Sequence, residues 1–530
     1  MDDSNPRDAD TVGESRSFNR RQQILGLILA VLAVAYGAHA FVGWHNAKAE
    51  RKASDDYSTF VAAVAKADAI ADPLQRCLGS PDLPDSHWNE ETTRAYCGLR
   101  NHRTIQLSDI EALLKQGKAD EVDRVFRSYL DTQRSDPKQP GLLDIAFVNA
   151  GFDDASDSTR RVIDMWKQQS PNSAFAFASS GVQYVDAAQQ ARGGGWSRDL
   201  YDQQVDGMTQ QLALAIKDLD RAVSLDPSIT AVYSSMIHAG GMEGDDEYMY
   251  KSAEFGLRAD PSNFGIRLEM MNHAQPKWGN NFGGVDAQSA EDLSLAIKNP
   301  LLRMVAQDPA VDRATCDCNG SQAQTNRLVM QAADKNLNAD NLIDLADAVY
   351  DTNRRLAVEL YSEAIRFDPA QVDALRWRSQ EMIALGDKSG AIAAFVAVSQ
   401  RFPADNAMTT QLGNIYAQAG DVRQAETTLL AALQRDPDNY HAMGILGDLY
   451  NHAGHQPQKA EALADAMINK YPDKADGYIV RSCDQMDHNL PGVYNTIHYF
   501  IDRFGDDPQW KTQTAAMRAY LVKHPEKVGT

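Results

Sequence analysis

Proline spacing constrains this chain more than any other feature. Pro369, Pro403, Pro437 and Pro472 recur about every 34 residues, each closing an apolar-periodic segment. Between two of them lies Leu412-Gly413-Asn414-Ile415-Tyr416-Ala417-Gln418-Ala419-Gly420-Asp421, followed by Ala425 and closed by Asp436-Pro437. It reads as a helix, a tight turn, a second helix and a stop. Gly420 suits the left-handed backbone that ends a helix. Pro437 lacks the N–H needed to continue one and biases Asp436 out of it. Gly413 predicts a close approach of paired helices, with Leu412 and Tyr416 filling the space beside it. Ala425 and Ala432 leave room for the next unit. The expected class is therefore all-α, an α-α solenoid in which each unit stacks on its neighbours.

The pattern repeats with Leu446, Gly447, Tyr450, Gly454 and Ala460, with one residue inserted before Pro472. Upstream it reads Trp377, Gly386-Asp387, Ala391, Phe395 and Pro403, and before that Ala357, Tyr361, Ala364 and Asp368-Pro369. On these residues the chain resembles the tetratricopeptide-repeat family. The resemblance implies a groove lined by the first helix of each unit, holding a protein or peptide partner. The family's inward positions fall on Asp373, Arg376 and Gln380, then Thr410, Gln411 and Asn414, then His441, Asp448 and Asn451. The two-lysine, two-asparagine clamp of chaperone-tail binders is absent, so that ligand is not expected. A mixed polar row of this kind reads equally as a solvated face.

The N-terminus adds a second constraint. Residues 1–23 are polar and charged, read as a disordered cytoplasmic tail ending in Arg20-Arg21. Ile24 to Trp44 carries no Asp, Glu, Lys or Arg and is long enough to span a bilayer as one helix. Ala38-His39-Ala40 offers the alternative of a cleaved signal peptide. Positive charge flanks both ends of the run, but Arg20-Arg21 favours an N-terminus inside and the bulk outside, in a bacterial periplasm. Cys77 and Cys97 flank a loop rich in Pro and Asp within a linker over 45–103. A disulfide between them requires an oxidising compartment. The formal net charge of −21 argues against nucleic acid as a partner.

Residues 104–300 read as a helical domain with less regular units, although stops at Asp226-Pro227 and Asp260-Pro261 keep the same interval of about 34 residues. Ala191-Arg192-Gly193-Gly194-Gly195-Trp196 and Pro276-Lys277-Trp278-Gly279, with Gly283-Gly284 behind, resemble a bacterial helical domain of unknown function. That domain bears Ala-Arg-Gly-x-x-Trp and Pro-x-Trp-Gly-Gly motifs and precedes tetratricopeptide repeats. Here Asn280-Asn281-Phe282 interrupts the second motif. The resemblance implies a fold and no activity. A connector over 301–337 leads into repeats and capping helices over 338–530.

Chemical motifs are sparse. Gly193–Gly195 follows a helix and lacks the Lys-Ser/Thr of a phosphate loop, so it reads as an interhelix turn. Trp196 and Trp278 read as packing anchors ahead of an aromatic ligand box. Cys316-Asp317-Cys318 supplies two ligands, too few for a metal site. Cys483 reads as a buried thiol. His452 and His455 read as solvated, and Asp245-Asp246-Glu247 as the acidic start of a helix. No Ser/His/Asp, Cys/His or HExxH constellation occurs, and no catalytic residue, cofactor or metal is expected. The functional expectation is a membrane-anchored scaffold or adaptor binding a protein partner outside the cytoplasm. The alternatives are an immunity-type inhibitor of a secreted toxin and an enzyme in the N-terminal helical domain.

Overall fold

The computed structural model describes residues 55–136, 141–193, 200–316, 320–453 and 456–526. The chain divides into two units, Met1–Ala63 and Val64–Thr530. Of the first, residues 55–63 are described, and they are helical. The run 24–44 expected to span a membrane lies outside the described residues. Among those described, no helix is long and apolar enough to cross one. The architecture below is that of Val64–Thr530.

All regular structure described in this unit is helical. The segments that position the features discussed are α1 (Glu90–Arg100), α2 (Ala174–Arg192), α3 (Asp202–Leu225), α4 (Ala231–Glu243), α5 (Asp246–Ala259) and α6 (Phe264–Ala274). In the second half they are α7 (Arg354–Phe367), α8 (Val372–Ala384), α9 (Lys388–Ser399), α10 (Asn406–Ala419), α11 (Val422–Arg435), α12 (Tyr440–Asn451), α13 (Pro457–Lys470) and α14 (Asp476–His488).

One local device ends the second helix of four units. The residue before proline leaves the helix, and its carboxylate accepts the N–H two residues on. Asp226 takes Ser228 at 2.9 Å, Asp260 takes Ser262 at 3.0 Å, Asp368 takes Ala370 at 3.3 Å and Asp436 takes Asp438 at 3.0 Å. The proline supplies no donor to satisfy, and the aspartate satisfies the next one, so the turn is tied on both sides. An asparagine then caps the following helix in two of these units. Asn263 accepts from Ile266 and Asn439 from Ala442.

The turn within a unit has its own grammar. Gly244, Gly386 and Gly420 sit at positive φ, and the aspartate after each caps the next helix by accepting from Tyr248, Gly390 and Gln424. Halves of the chain that look unlike in sequence therefore share their joints.

Close helix pairs rest on glycine. A Cβ on Gly413 would lie 2.6 Å from Leu429 Cγ of α11, and one on Gly181 of α2 would lie 2.5 Å from Leu219 Cγ of α3. Gly447, expected to play the same part inside its own unit, instead faces Val480 Cγ2 of α14 at 2.7 Å, in the following unit. Its space is claimed by the next repeat and not by its own second helix. Ala425 and Ala432 are fully buried.

The segment 73–100, read from sequence as a linker, folds onto the repeats. Cys77 and Cys97 form a disulfide with Cα atoms 5.7 Å apart. Arg366 of α7 donates to Cys77 O at 2.7 Å and to Asp82 Oδ1 at 2.7 Å. Trp88 Nε1 donates to Ala333 O at 2.8 Å. Arg100 pairs with Asp368, and the Tyr96 ring lies 4.9 Å from that of Phe367. Residues from Cys77 to Leu99 consequently share one apolar core with residues 301–415. A second core runs from Ile110 to Met270 around Phe126, Phe147, Phe152 and Trp166.

Three outcomes are expected. Gly413→Leu drives a side chain into Leu429 and should destabilise by about 1–3 kcal/mol. Thr427→Ala should change stability by no more than about 0.5 kcal/mol, because the exposed hydroxyl bonds only its own helix at Arg423 O. Denaturant melts compare them, and equal melting of Gly413→Leu and wild type would contradict the packing. Cys97→Ser opens a loop with a sequence separation of 20 residues. It should cost about 3 kcal/mol. Melts of wild type and Cys97→Ser, both without reductant, measure that loss.

Candidate functional site

Polar groups gather along the row expected from repeat positions and in a cluster between α4 and α6. Along the row, Asp373 and Arg376 form an ion pair of 3.1 Å, and the guanidinium lies 4.0 Å from the Trp377 ring centroid. Gln380 is half-buried. Thr410 is buried. Its hydroxyl donates to Asn406 O and accepts from Asn439 Nδ2 at 2.9 Å. Gln411 is buried too, with Nε2 at 3.0 Å from His441 Nε2, and it accepts from Asn414 Nδ2 at 3.3 Å. His441 and Asp448 are exposed, whereas Asn451 donates to Val480 O at 2.7 Å. The structure thus joins Gln411, Asn414 and His441 across two units and leaves Asp373, His441 and Asp448 facing solvent.

The second cluster begins with two glycines in the last turn of α4. Glycine there weakens a helix by roughly 1 kcal/mol each, so a packing reason is expected. Gly240 brings Met249 of α5 to 2.9 Å from where a Cβ would stand. Gly241 is covered by the His273 imidazole of α6, whose Cε1 lies 1.9 Å from the missing Cβ. Glu269 and His273 are four residues apart on one face of α6. Glu269 Oε1 meets His273 Nε2 at 3.3 Å and His238 Nδ1 of α4 at 2.7 Å. Asn272 Nδ2 reaches the other carboxylate oxygen at 3.4 Å. The three ligand atoms of His238, Glu269 and His273 all lie within 4.8 Å of one another.

The second loop motif read from sequence borders this cluster. Pro276–Trp278 forms one 3-10 turn directly after α6, and the Trp278 ring is 6.5 Å from His273. Asn281 N donates to His273 O at 3.0 Å, folding the loop back on the helix end. Asn280, Phe282, Gly283 and Gly284 all take positive φ, and the Phe282 ring lies 4.7 Å from that of Tyr250, tilted by 55°. In the first motif, Arg192 is buried at the end of α2, its carbonyl accepting from Gln204 Nε2 at 2.8 Å. Gly194, Gly195 and Trp196 lie outside the described residues, as do Asp317, Cys318 and His455. Cys316 is disulfide-bonded, and Cys483 is a half-buried free thiol whose pKa burial pushes up to about 11.

Charge in the cluster is set by competition. Burial alone would raise the Glu269 carboxyl, yet the two imidazoles and their bonds hold it well below the usual carboxylate range. Burial pulls His238 down, and the neighbouring carboxylate lifts it above its ordinary value. Glu269 also lines a cavity of about 350 Å³, open between this region and the start of the repeats. Asp144, Asp153, Asp340, Arg100 and Tyr96 share its wall. Burial pushes Asp144 up to about 7 despite the bond from Asn263 Nδ2, and its Oδ1 has no hydrogen-bond partner. Burial likewise raises Asp153 to about 6 and, against the attraction of Arg100, raises Asp340. Four acids and one guanidinium make an acidic hollow. Sequence reading missed it, because its walls come from segments more than 200 residues apart. The local signal was His238-Ala239-Gly240-Gly241, together with the four-residue spacing of Glu269 and His273.

Residues 410–475 match the tetratricopeptide-repeat family model. No curated protein matches the chain. Among solved structures, a tetratricopeptide-repeat protein from Parabacteroides merdae is 11% identical, covering 55% of this chain and 98% of its own, with a TM-score of 0.33. Yeast Tom70 is 12% identical, covering 78% and 95%, with a TM-score of 0.33. The P58(IPK) repeat domain is 11% identical, covering 60% and 96%, with a TM-score of 0.20.

The buried acid has a testable sign. A carboxyl raised from its ordinary 3.8 to about 7 binds more protons folded than unfolded, so its contribution falls as pH rises through that window. Asp144→Asn is neutral throughout. Relative to wild type, it should gain on the order of 3 kcal/mol between pH 4 and pH 8. Melts across that range would show parallel profiles for the two proteins if Asp144 were ionised at no cost.

Proposed function

We propose that the chain is a helical-repeat adaptor, not an enzyme, that holds a protein or peptide partner. We place it at a bacterial inner membrane, tethered by residues 24–44, with its bulk in the periplasm. The observation that carries the reading is the stack of repeats itself. Units closed by proline at a common interval of about 34 residues present successive first helices side by side, and such stacks make extended binding surfaces. Along them Asp373, His441 and Asp448 are exposed with polar neighbours already ordered around them. Ordered polar side chains lose less freedom when a partner arrives. The disulfide between Cys77 and Cys97 supports an oxidising compartment.

Crosslinking and pull-down from intact cells tests the surface. Asp373→Lys combined with His441→Ala should abolish recovery of a partner that wild type captures, with melting unchanged. Equal recovery would move the binding face elsewhere. Reporter fusions after Trp44 and at the C-terminus should be active as periplasmic phosphatase. Activity of a cytoplasmic reporter at either place would overturn the location.

A further inference from the structure

The cluster between α4 and α6 is built more tightly than a protein-binding scaffold requires. We propose that His238, Glu269 and His273 form a binding site for a divalent transition-metal ion of the zinc class. Two imidazole nitrogens converge on a single carboxylate oxygen, at 2.7 and 3.3 Å. That is the donor set of a three-ligand zinc site with one position left open. Imidazole selects against magnesium and calcium, which take oxygen ligands.

Preorganisation supports the assignment. Glu269 and His273 are held at fixed spacing by one helix. The His273 ring is seated on Gly241, where any side chain would displace it. Asn272 steadies the second carboxylate oxygen, the kind of outer contact that orients a ligand. His273 is nearly buried, at 10% side-chain exposure, while His238 is 36% exposed and gives an ion a route in. Among the described residues no other trio of His, Cys, Asp or Glu has this closeness. An ion bound there would clamp α4 to α6 beside the Pro276–Trp278 turn and sit at the wall of the acidic cavity, since Glu269 lines both.

The test is calorimetric titration of chelator-treated, untagged full-length protein with zinc chloride. Wild type should take up a single zinc ion per chain at this site. His238→Ala and Glu269→Gln should each weaken binding at least about 100-fold, more than a change in an outer contact gives. His498→Ala, a half-exposed histidine far along the chain, should leave it unchanged. Circular dichroism confirms that each variant is folded, and His238→Ala removes a partly exposed side chain, so its folding is expected to persist. Cobalt substitution gives an independent readout, with visible absorption from the wild type and none from His238→Ala. Absence of zinc uptake by wild type, or equal uptake by His238→Ala, would reduce the cluster to a hydrogen-bonded ion triad and overturn the proposal. Neither outcome bears on partner capture through the repeats.

Discussion

The fold depends on stopping helices at fixed places. An amphipathic helix has no reason of its own to end after three or four turns, and a solenoid fails if one unit overruns. In four units Asp-Pro performs the stop, with proline removing a donor and aspartate accepting the next one. The bond to the N–H two residues on lies within the turn, so the stop itself is set locally. Distant packing then only has to stack units whose lengths are already correct.

Stacking in turn depends on side chains that are absent. Gly181 and Gly413 admit Leu219 and Leu429 at distances no Cβ would allow, and fully buried Ala425 and Ala432 keep the second helix narrow. The same logic reappears at Gly241, where the missing side chain seats an imidazole and not an apolar group. A single structural rule thus builds the scaffold in the repeats and a ligand-like cluster in the N-terminal half.

Sequence reading reached the features encoded within about 34 residues. The prolines, the Gly-Asp turns and Ala425 all follow from local chemistry, and residues 410–475 match the corresponding family model. What escaped it depends on tertiary packing, whether across long separations or between neighbouring helices. Arg366 fastening Cys77 and Asp82 across nearly 290 residues could not be read from either partner. The pairing of His238 with Glu269 needed the α4–α6 crossing, which periodicity does not fix. Gly447 was placed in the right kind of position but against the wrong neighbour, because identical spacing does not say which helix fills the space. Thr410 illustrates the reverse case, an inward position turned into an internal hydrogen bond by Asn439.

The central claim is that these stops couple neighbouring units. Hydrogen exchange by mass spectrometry on Asp436→Ala tests it most directly. Removing the carboxylate frees the Asp438 N–H and loosens the joint between α11 and α12. The account predicts faster exchange in Val422–Arg435 and Tyr440–Asn451, fading through the adjacent units, with Ala174–Leu225 unchanged. Exchange indistinguishable from wild type, or uniform acceleration along the whole chain, would contradict it.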